Sequence, residues 1–407
     1  MKKKLRIIIV WTIISLFIQF SIYGFTNYQV GKILNPVYEP ITTDLQATIP
    51  GTNLENIQIS YAKDYLAYKE NGVFKVFNLK EQKVVFEKKP EANSEENMGV
   101  MGYQWLPDRD ALIYLYSKKN PNPVTKITTT KTTSTNKTVT DTNKSTTSED
   151  LNNKAAQTPS QQPKTEIRYN NPWLTELYTL ELPSSDELTP PDNRPHDISL
   201  DSYPAGGVIT QMAFSTFTNL IYITVKSGTN MTLFEIDVMK DVSKLNRSGE
   251  YISNMAISDQ QGTLYIDSKI GTTRQIVAVK SFDRNVISQD PNDVILGDRN
   301  GKLYLGKVTI NQLTKISTRE DKTNFNEKVN PITIWEGSIP YEDAQVVIGS
   351  LGQVIVYNQQ TVYIVNNGKV KEVNLQGKES YVSPDGAELI ELTQQGDSTL
   401  AELRPLE

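Results

Sequence analysis

Ile59-Ser-Tyr-Ala-Lys-Asp-Tyr-Leu-Ala-Tyr-Lys-Glu-Asn-Gly-Val-Phe-Lys-Val-Phe-Asn-Leu79 decides the fold. Short β-branched and aromatic runs alternate in it with turn residues, the pattern of paired strands. Asn71-Gly72 is a strong two-residue hairpin turn, because both residues tolerate positive φ. The same unit recurs along the chain. Tyr103 to Tyr116 begins a second copy, which Leu177-Tyr-Thr-Leu-Glu181 completes. Met212–Ser215, Leu220–Val225 and Leu233–Asp237 form a third, and Met255–Asp267 with Gln275–Val279 a fourth. Val294–Leu305 marks a fifth, with a second Asn-Gly turn at Asn300-Gly301. Val346–Ile348, Gln353–Tyr357 and Val362–Val365 mark a sixth, and Tyr381–Leu392 a last.

The equivalent tyrosines fall at 68, 114, 222, 265 and 304, in steps of 46, 108, 43 and 39. Removing roughly sixty residues of insertion brings the long step into line. A period near 40–50 residues with several short strands per unit is the signature of a β-propeller. One four-stranded sheet cannot bury both its faces alone, but sheets packed around an axis can. The chain is therefore expected to be all-β, a propeller of six to eight blades with seven preferred. Tandem β-sandwiches are the alternative, since regular short strands read alike. Ser383-Pro-Asp-Gly386 resembles the turn of TolB-like and prolyl-oligopeptidase-type propeller repeats, of the broad WD40-like kind. Trp105-Leu-Pro-Asp108 resembles its Trp-initiated variant, with Arg109 where Gly is usual. This resemblance implies a fold more than a function.

The N-terminus carries a different signal. Lys2, Lys3, Lys4 and Arg6 precede an uncharged apolar run, Ile7 to Phe25. As a helix that run reaches about 28 Å, close to a bilayer's hydrocarbon thickness. Its exit, Ser21-Ile-Tyr-Gly-Phe-Thr26, puts a bulky aromatic where signal cleavage wants a small residue. An uncleaved single-pass anchor is expected, with residues 1–6 cytoplasmic by the positive-inside rule, 7–25 spanning and the C-terminal mass extracytoplasmic. Residues 26–53, with Pro36, Pro40 and Pro50, read as a stalk with a lead-in strand, and 54–407 as the propeller. Thr125 to Ser148 holds twelve Thr and only two aliphatic residues, Ile127 and Val139. Such a stretch cannot offset its ordering entropy by burial, so 118–174 reads as a disordered insertion in one hairpin.

Composition excludes several chemistries. Without cysteine there are no disulfides, no thiol catalysis and no lipoprotein anchor. A net charge of -5 with interspersed signs gives no basic face for nucleic acid. The single histidine, His196, lies in Pro190-Pro-Asp-Asn-Arg-Pro-His-Asp197 and reads as a solvated loop residue. No Gly-x-Ser-x-Gly elbow occurs, since Gly349-Ser-Leu-Gly352 has the wrong spacing. Gly297-Asp-Arg-Asn-Gly-Lys302 departs from a phosphate loop, and Asp298–Gly301 and Asp385-Gly386 lack the remaining ligands of a calcium loop. Glu91–Glu96 and Arg319-Glu-Asp-Lys322 read as solvated loops. Trp105, Trp173 and Trp335 read as blade core in preference to a sugar-stacking surface. No catalytic, cofactor or metal residue is therefore expected. The expected function is non-catalytic binding of a protein or cell-envelope polymer. The alternative is a lactonase- or glycosidase-like hydrolase with carboxylates in the channel.

Overall fold

The computed structural model describes residues 19–20, 22–26, 45–91, 98–122, 124–129, 164–169, 172–183, 189–196, 198, 200, 203–204, 206–322, 324, 326–375 and 379–406. Seven four-stranded antiparallel sheets follow one another along the chain. Blade 1 comprises Leu54–Ile59, Tyr65–Glu70, Val73–Asn78 and Lys83–Lys88, counted from the inner strand outward. Blade 2 comprises Gly99–Trp105, Ala111–Lys119, Trp173–Glu181 and Asp192–His196. Blades 3, 4, 5 and 6 begin with the inner strands Val208–Ser215, Glu250–Ile257, Asp293–Arg299 and Gln345–Ile348. Blade 7 takes three strands from the C-terminus, Glu379–Val382, Glu388–Gln395 and Ser398–Pro405. Its outer strand is Leu45–Pro50, paired from Leu45↔Leu403 to Pro50↔Ser398. The ring is thus closed by joining the two ends of the propeller in one sheet. The propeller begins at residue 45 rather than 54, because the lead-in strand within the expected stalk completes blade 7.

The repeated tyrosines explain the regularity. Tyr68, Tyr114, Tyr222, Tyr265 and Tyr304 each lie in the second strand of a blade, and all are buried. A second strand has a neighbouring blade on each face, so both of its faces are covered. Tyr65 to Tyr68 are accordingly buried without alternation. Seven hydrophobic clusters lie at the seven blade interfaces. One joins Ile49 and Leu403 of blade 7 to Leu66 and Phe77 of blade 1, and another joins Phe74 of blade 1 to Tyr103 and Tyr114 of blade 2. Such double-sided burial suits a radial array and rules out tandem sandwiches. Asn71, Gly72, Asn300 and Gly301 all have positive φ, as their turns require.

Two expectations change. Residues 118–174 are not uniformly unstructured. Lys118 and Lys119 end one strand, Trp173 and Leu174 begin the next, and Val124–Thr129 pairs with Lys164–Tyr169 in a two-stranded ladder. Threonine disfavours a core but, being β-branched, favours a strand. Residues 130–163 lie outside the described residues. Likewise, Pro190–Asp197 is not simply a loop, because Asp192–His196 is the outer strand of blade 2. Pro195 is accommodated there because an edge strand does not need every N–H.

The proposed transmembrane helix falls largely outside the described residues. Residues 19–20 and 22–26 are helical and exposed. Among the described residues no helix is long and apolar enough to cross a membrane.

Candidate functional site: the axial channel

The inner strands of blades 1, 3, 4 and 7 end in Ser60, Ser215, Ser258 and Ser383, which open the turns to the second strands. Each serine hydroxyl accepts a backbone N–H within its own turn. Ser60 takes Tyr65 N–H at 3.2 Å, Ser258 takes Gln261 N–H at 2.8 Å, and Ser383 takes Glu388 N–H at 2.9 Å. This is the hydroxyl-capped turn that makes serine recur at that position. These turns ring one end of the channel and enclose a chamber of ≈ 690 Å³. Its wall is apolar, with Ile57, Ala213, Ala256 and Val347. Its rim is polar, with Tyr61, Asp259, Arg299 and Asp385.

Two charged constellations organise that rim. At the ring closure, Lys63 Nζ lies 2.5 Å from Asp385 Oδ2 and 2.9 Å from Glu388 Oε2, tying blade 1 to blade 7. The ammonium is 2% exposed and the Glu388 carboxylate 0%. Burial pushes the Asp385 carboxyl up, but hydrogen bonds from Lys63 and Ser383 outweigh it and hold the group below its ordinary range. Between blades 4 and 5, Asp298 Oδ1 accepts Asp259 N–H at 3.1 Å. The Asp259 carboxylate in turn accepts Asn300 N–H at 2.7 Å and Gly301 N–H at 3.0 Å. Burial first, then the nearby charges of Asp259 and Asp321, push Asp298 up to about 8. Its Oδ2 is buried and has no hydrogen-bond partner among the described residues. Asp298 is therefore favoured in its neutral form at neutral pH, since burial and the neighbouring carboxyl groups disfavour its charge.

Gln58, Gln104, Met212 and Met255 line both this chamber and a second recess of ≈ 400 Å³. That recess lies on the far side of these residues from the serine turns and takes in Lys69, Met101, Ile209 and Asn254. The inner strands of blades 1 to 5 each carry a β-bulge there, for instance between Ile209 and Gln211 and between Ile252 and Asn254. A bulge re-aims side chains out of the regular pleat.

The residues singled out in the sequence scatter. His196 lies on the outer rim of blade 2, with Nε2 2.6 Å from Thr179 Oγ1. Burial, then Lys240, lowers its pKa. Trp105 and Trp335 are buried as expected, and Trp173 is half-buried. Asp385 and Asp298 do reach the channel, Asp385 paired with Lys63 and Asp298 beside Asp259. Among the described residues no group of three or more ligating side chains is placed to hold a metal. Arg319–Lys322 is only partly a solvated loop. Arg319 is buried and donates to Glu327 O at 3.0 Å, and Asp321 accepts the Tyr265 hydroxyl at 2.7 Å. Most of Glu91–Glu96 lies outside the described residues.

The fold and channel define a seven-bladed β-propeller with an axial chamber. No family model matches the sequence, and no curated protein matches it either. Among solved structures, a streptogramin B lyase is similar over 90% of this chain and 99% of that one, at 10% identity and TM-score 0.48. The β-propeller domain of Myceliophteria thermophila Cps50 (Swd1) is similar over 89% and 99%, at 9% identity and TM-score 0.46. Dihydro-heme d1 dehydrogenase NirN covers 90% and 72%, at 10% identity and TM-score 0.41. At such identity these are likenesses of shape, and no activity passes from them to this chain.

Proposed function

We propose that this chain is a membrane-anchored, extracytoplasmic propeller, akin to TolB-like repeats, that binds a protein or cell-envelope polymer through its axial chamber without catalysis. The single observation that supports binding is the chamber itself. An apolar wall of this volume suits an inserted apolar side chain, and the charged rim suits polar groups around it. The anchor reading rests on the Ile7–Phe25 run, the basic residues before it and the exit sequence. Tethering would raise the local concentration of the disc near surface partners. The test has two arms. The full chain should sediment with membranes and resist release by high salt, and protease added to wall-stripped cells should remove the C-terminal mass. Ala256→Phe, which adds bulk at the chamber wall and costs some stability at the blade interface, should abolish photocrosslinking from Tyr61 to its partner in protein that is still folded by circular dichroism. Undiminished crosslinking in a folded variant rejects the chamber as the binding site.

The Asp259–Asp298 pair favours a second reading, a hydrolase in which neutral Asp298 is the acid and Asp259 the base. Hydrolysis of a lactone or glycoside that is lost in Asp298→Asn would establish it in place of binding alone.

A further inference from the structure

Strands within a blade alternate in direction, so the turn from first to second strand and the turn from third to fourth lie at the same end of the ring. Register fixes this in blade 3, where Ser215 pairs with Leu220, Ile221 with Ile236 and Ile236 with Val242. In blade 4, Leu264 pairs with Val279 and Lys280 with Asp283. Turn backbones favour Gly, Asn, Asp and Ser, and a large apolar residue at a turn tip has no local purpose. Yet the serine-turn end carries Phe217, Val238 and Met239 on blade 3, Phe282 on blade 4 and Leu351 on blade 6. They are 67%, 59%, 76%, 74% and 87% exposed. The tips are firmly presented. Asp237 Oδ1 accepts Met239 N–H at 2.8 Å and Asp241 N–H at 2.9 Å, and Ser215 Oγ accepts Thr218 N–H at 3.3 Å. Thr218 leaves no space for a Cβ at Gly262, so the first turns of blades 3 and 4 stand together.

The chain from the N-terminal apolar run joins the disc at this same end. Leu45 pairs with Leu403 and Leu403 with Ile390, beside the Ser383 turn. Residues 27–44 separate Thr26 from Leu45 and reach at most about 60 Å. The blades follow one another around the ring, so blades 3 and 4 lie across the axis from blade 7. The tether and the main group of apolar tips therefore stand on opposite sides of one end. Charges beside the tips are mixed, with Asp237, Asp241 and Asp283 next to Lys240 and Lys280. No basic field draws this surface to an anionic partner, so the contact it offers is apolar. For a tethered disc the bilayer is the apolar phase always within reach.

We propose that the serine-turn end of the propeller rests on the lipid bilayer, with Phe217, Met239 and Phe282 inserted at the boundary between headgroups and acyl chains. Exposed apolar side chains enter that boundary without crossing it. The proposal rests on the anchor reading above, which brings the disc to a membrane, and adds which end faces it. The chamber then opens toward the bilayer, and its partner is a chain at the membrane surface.

The chain has no cysteine, so single cysteines can carry a polarity-sensitive fluorophore. Phe217→Cys, Met239→Cys and Phe282→Cys report on the serine-turn end. Ile310→Cys reports on a turn at the opposite end, where Ile310 is 91% exposed. The full chain is reconstituted into vesicles of phosphatidylcholine and phosphatidylglycerol, with and without doxyl-labelled lipid as a quencher. Probes at 217, 239 and 282 should shift to the blue and be quenched by the doxyl lipid, and the probe at 310 should do neither. High salt should leave this pattern unchanged, because the contact is apolar. Adding Phe217→Ser and Phe282→Ser should return the probe at 239 to its value in water. Those residues are exposed turn tips, so the fold tolerates the change. A chain that floats with the vesicles but keeps all four probes in water overturns the proposal and leaves the anchor standing. A chain that does not float rejects both. Equal quenching at 310, release by salt, or quenching that survives the two serines also overturns it. Probes in water in vesicles yet shielded in native membranes would assign the tips to a protein partner and overturn the lipid assignment.

Discussion

Replacing Lys63 with Met tests how the ring is locked. Lys63 has φ +60, so Met retains the backbone demand and most of the stem while losing only the ammonium. What remains is Asp385, 18% exposed, and Glu388, 0% exposed, facing each other without the cation between them. The Ser383 hydroxyl lies 2.6 Å from Asp385 Oδ1 and 3.0 Å from Glu388 Oε2, but its single proton cannot serve both. Removing one partner of a buried pair costs about 3–5 kcal/mol, chiefly for the charge left behind. At about 2.1 cal/mol/K per residue, a propeller of roughly 360 residues has an unfolding entropy near 0.75 kcal/mol/K, so the melting temperature should fall by about 5 °C. The pH dependence supplies a second check. The folded pKa of Asp385 is depressed, so its stabilisation is present above the unfolded carboxylate pKa of about 3.9 and is lost as pH falls through the folded value. The gap between wild type and Lys63→Met, followed by calorimetry, should therefore be full at neutral pH and shrink in acid. A variant melting within about 1 °C of wild type at pH 7, or a gap indifferent to acid, refutes the lock.

Asp298→Asn should respond oppositely. A carboxyl raised to about 8 in the fold is protonated where the unfolded chain is ionised, so wild type loses stability as pH rises from about 4 to about 8. The Asn variant lacks that slope, and its melting temperature should gain on wild type between pH 5 and 8; parallel curves would contradict the neutral assignment. Deleting Leu45–Pro50 removes the buried Ile49, worth about 1.5–3 kcal/mol, and bares the Ser398–Pro405 edge. Size-exclusion chromatography should show aggregation, and a monodisperse product with unchanged melting would show that the ring does not need this closure. Joining Thr129 to Lys164 by deleting 130–163 should move the melting temperature by no more than a few degrees, since loop length enters the closure entropy only logarithmically. A larger fall would mean that the segment packs on the blades.

The channel joins two cavities of different character. The chamber rim is held by ionic contacts between blades, and the recess by amides that bond across blades. Substitutions at Lys63, Gln58, Gln211 or Asn254 thus act on ring geometry as well as on the cavity.

The amino-acid sequence by itself determined the repeat. Tyr68, Tyr114, Tyr222, Tyr265 and Tyr304 mark the second strands because each must fill a two-sided slot, and the Asn-Gly pairs mark turns because few other residues take their φ angles. These are local demands, legible wherever they recur. The tertiary structure decided that there are seven blades, that Leu45–Pro50 closes the last one, and that His196 is an edge-strand residue. It also decided the site. Lys63 meets Asp385 across 322 positions of chain, and Asp298 meets Asp259 across 39. In the sequence each of these is an ordinary turn residue, since nothing local records which turn will stand beside it. Only closing the ring brings those turns together, and burial at the resulting blade interfaces converts solvated charges into a lock, a dyad and a lined channel.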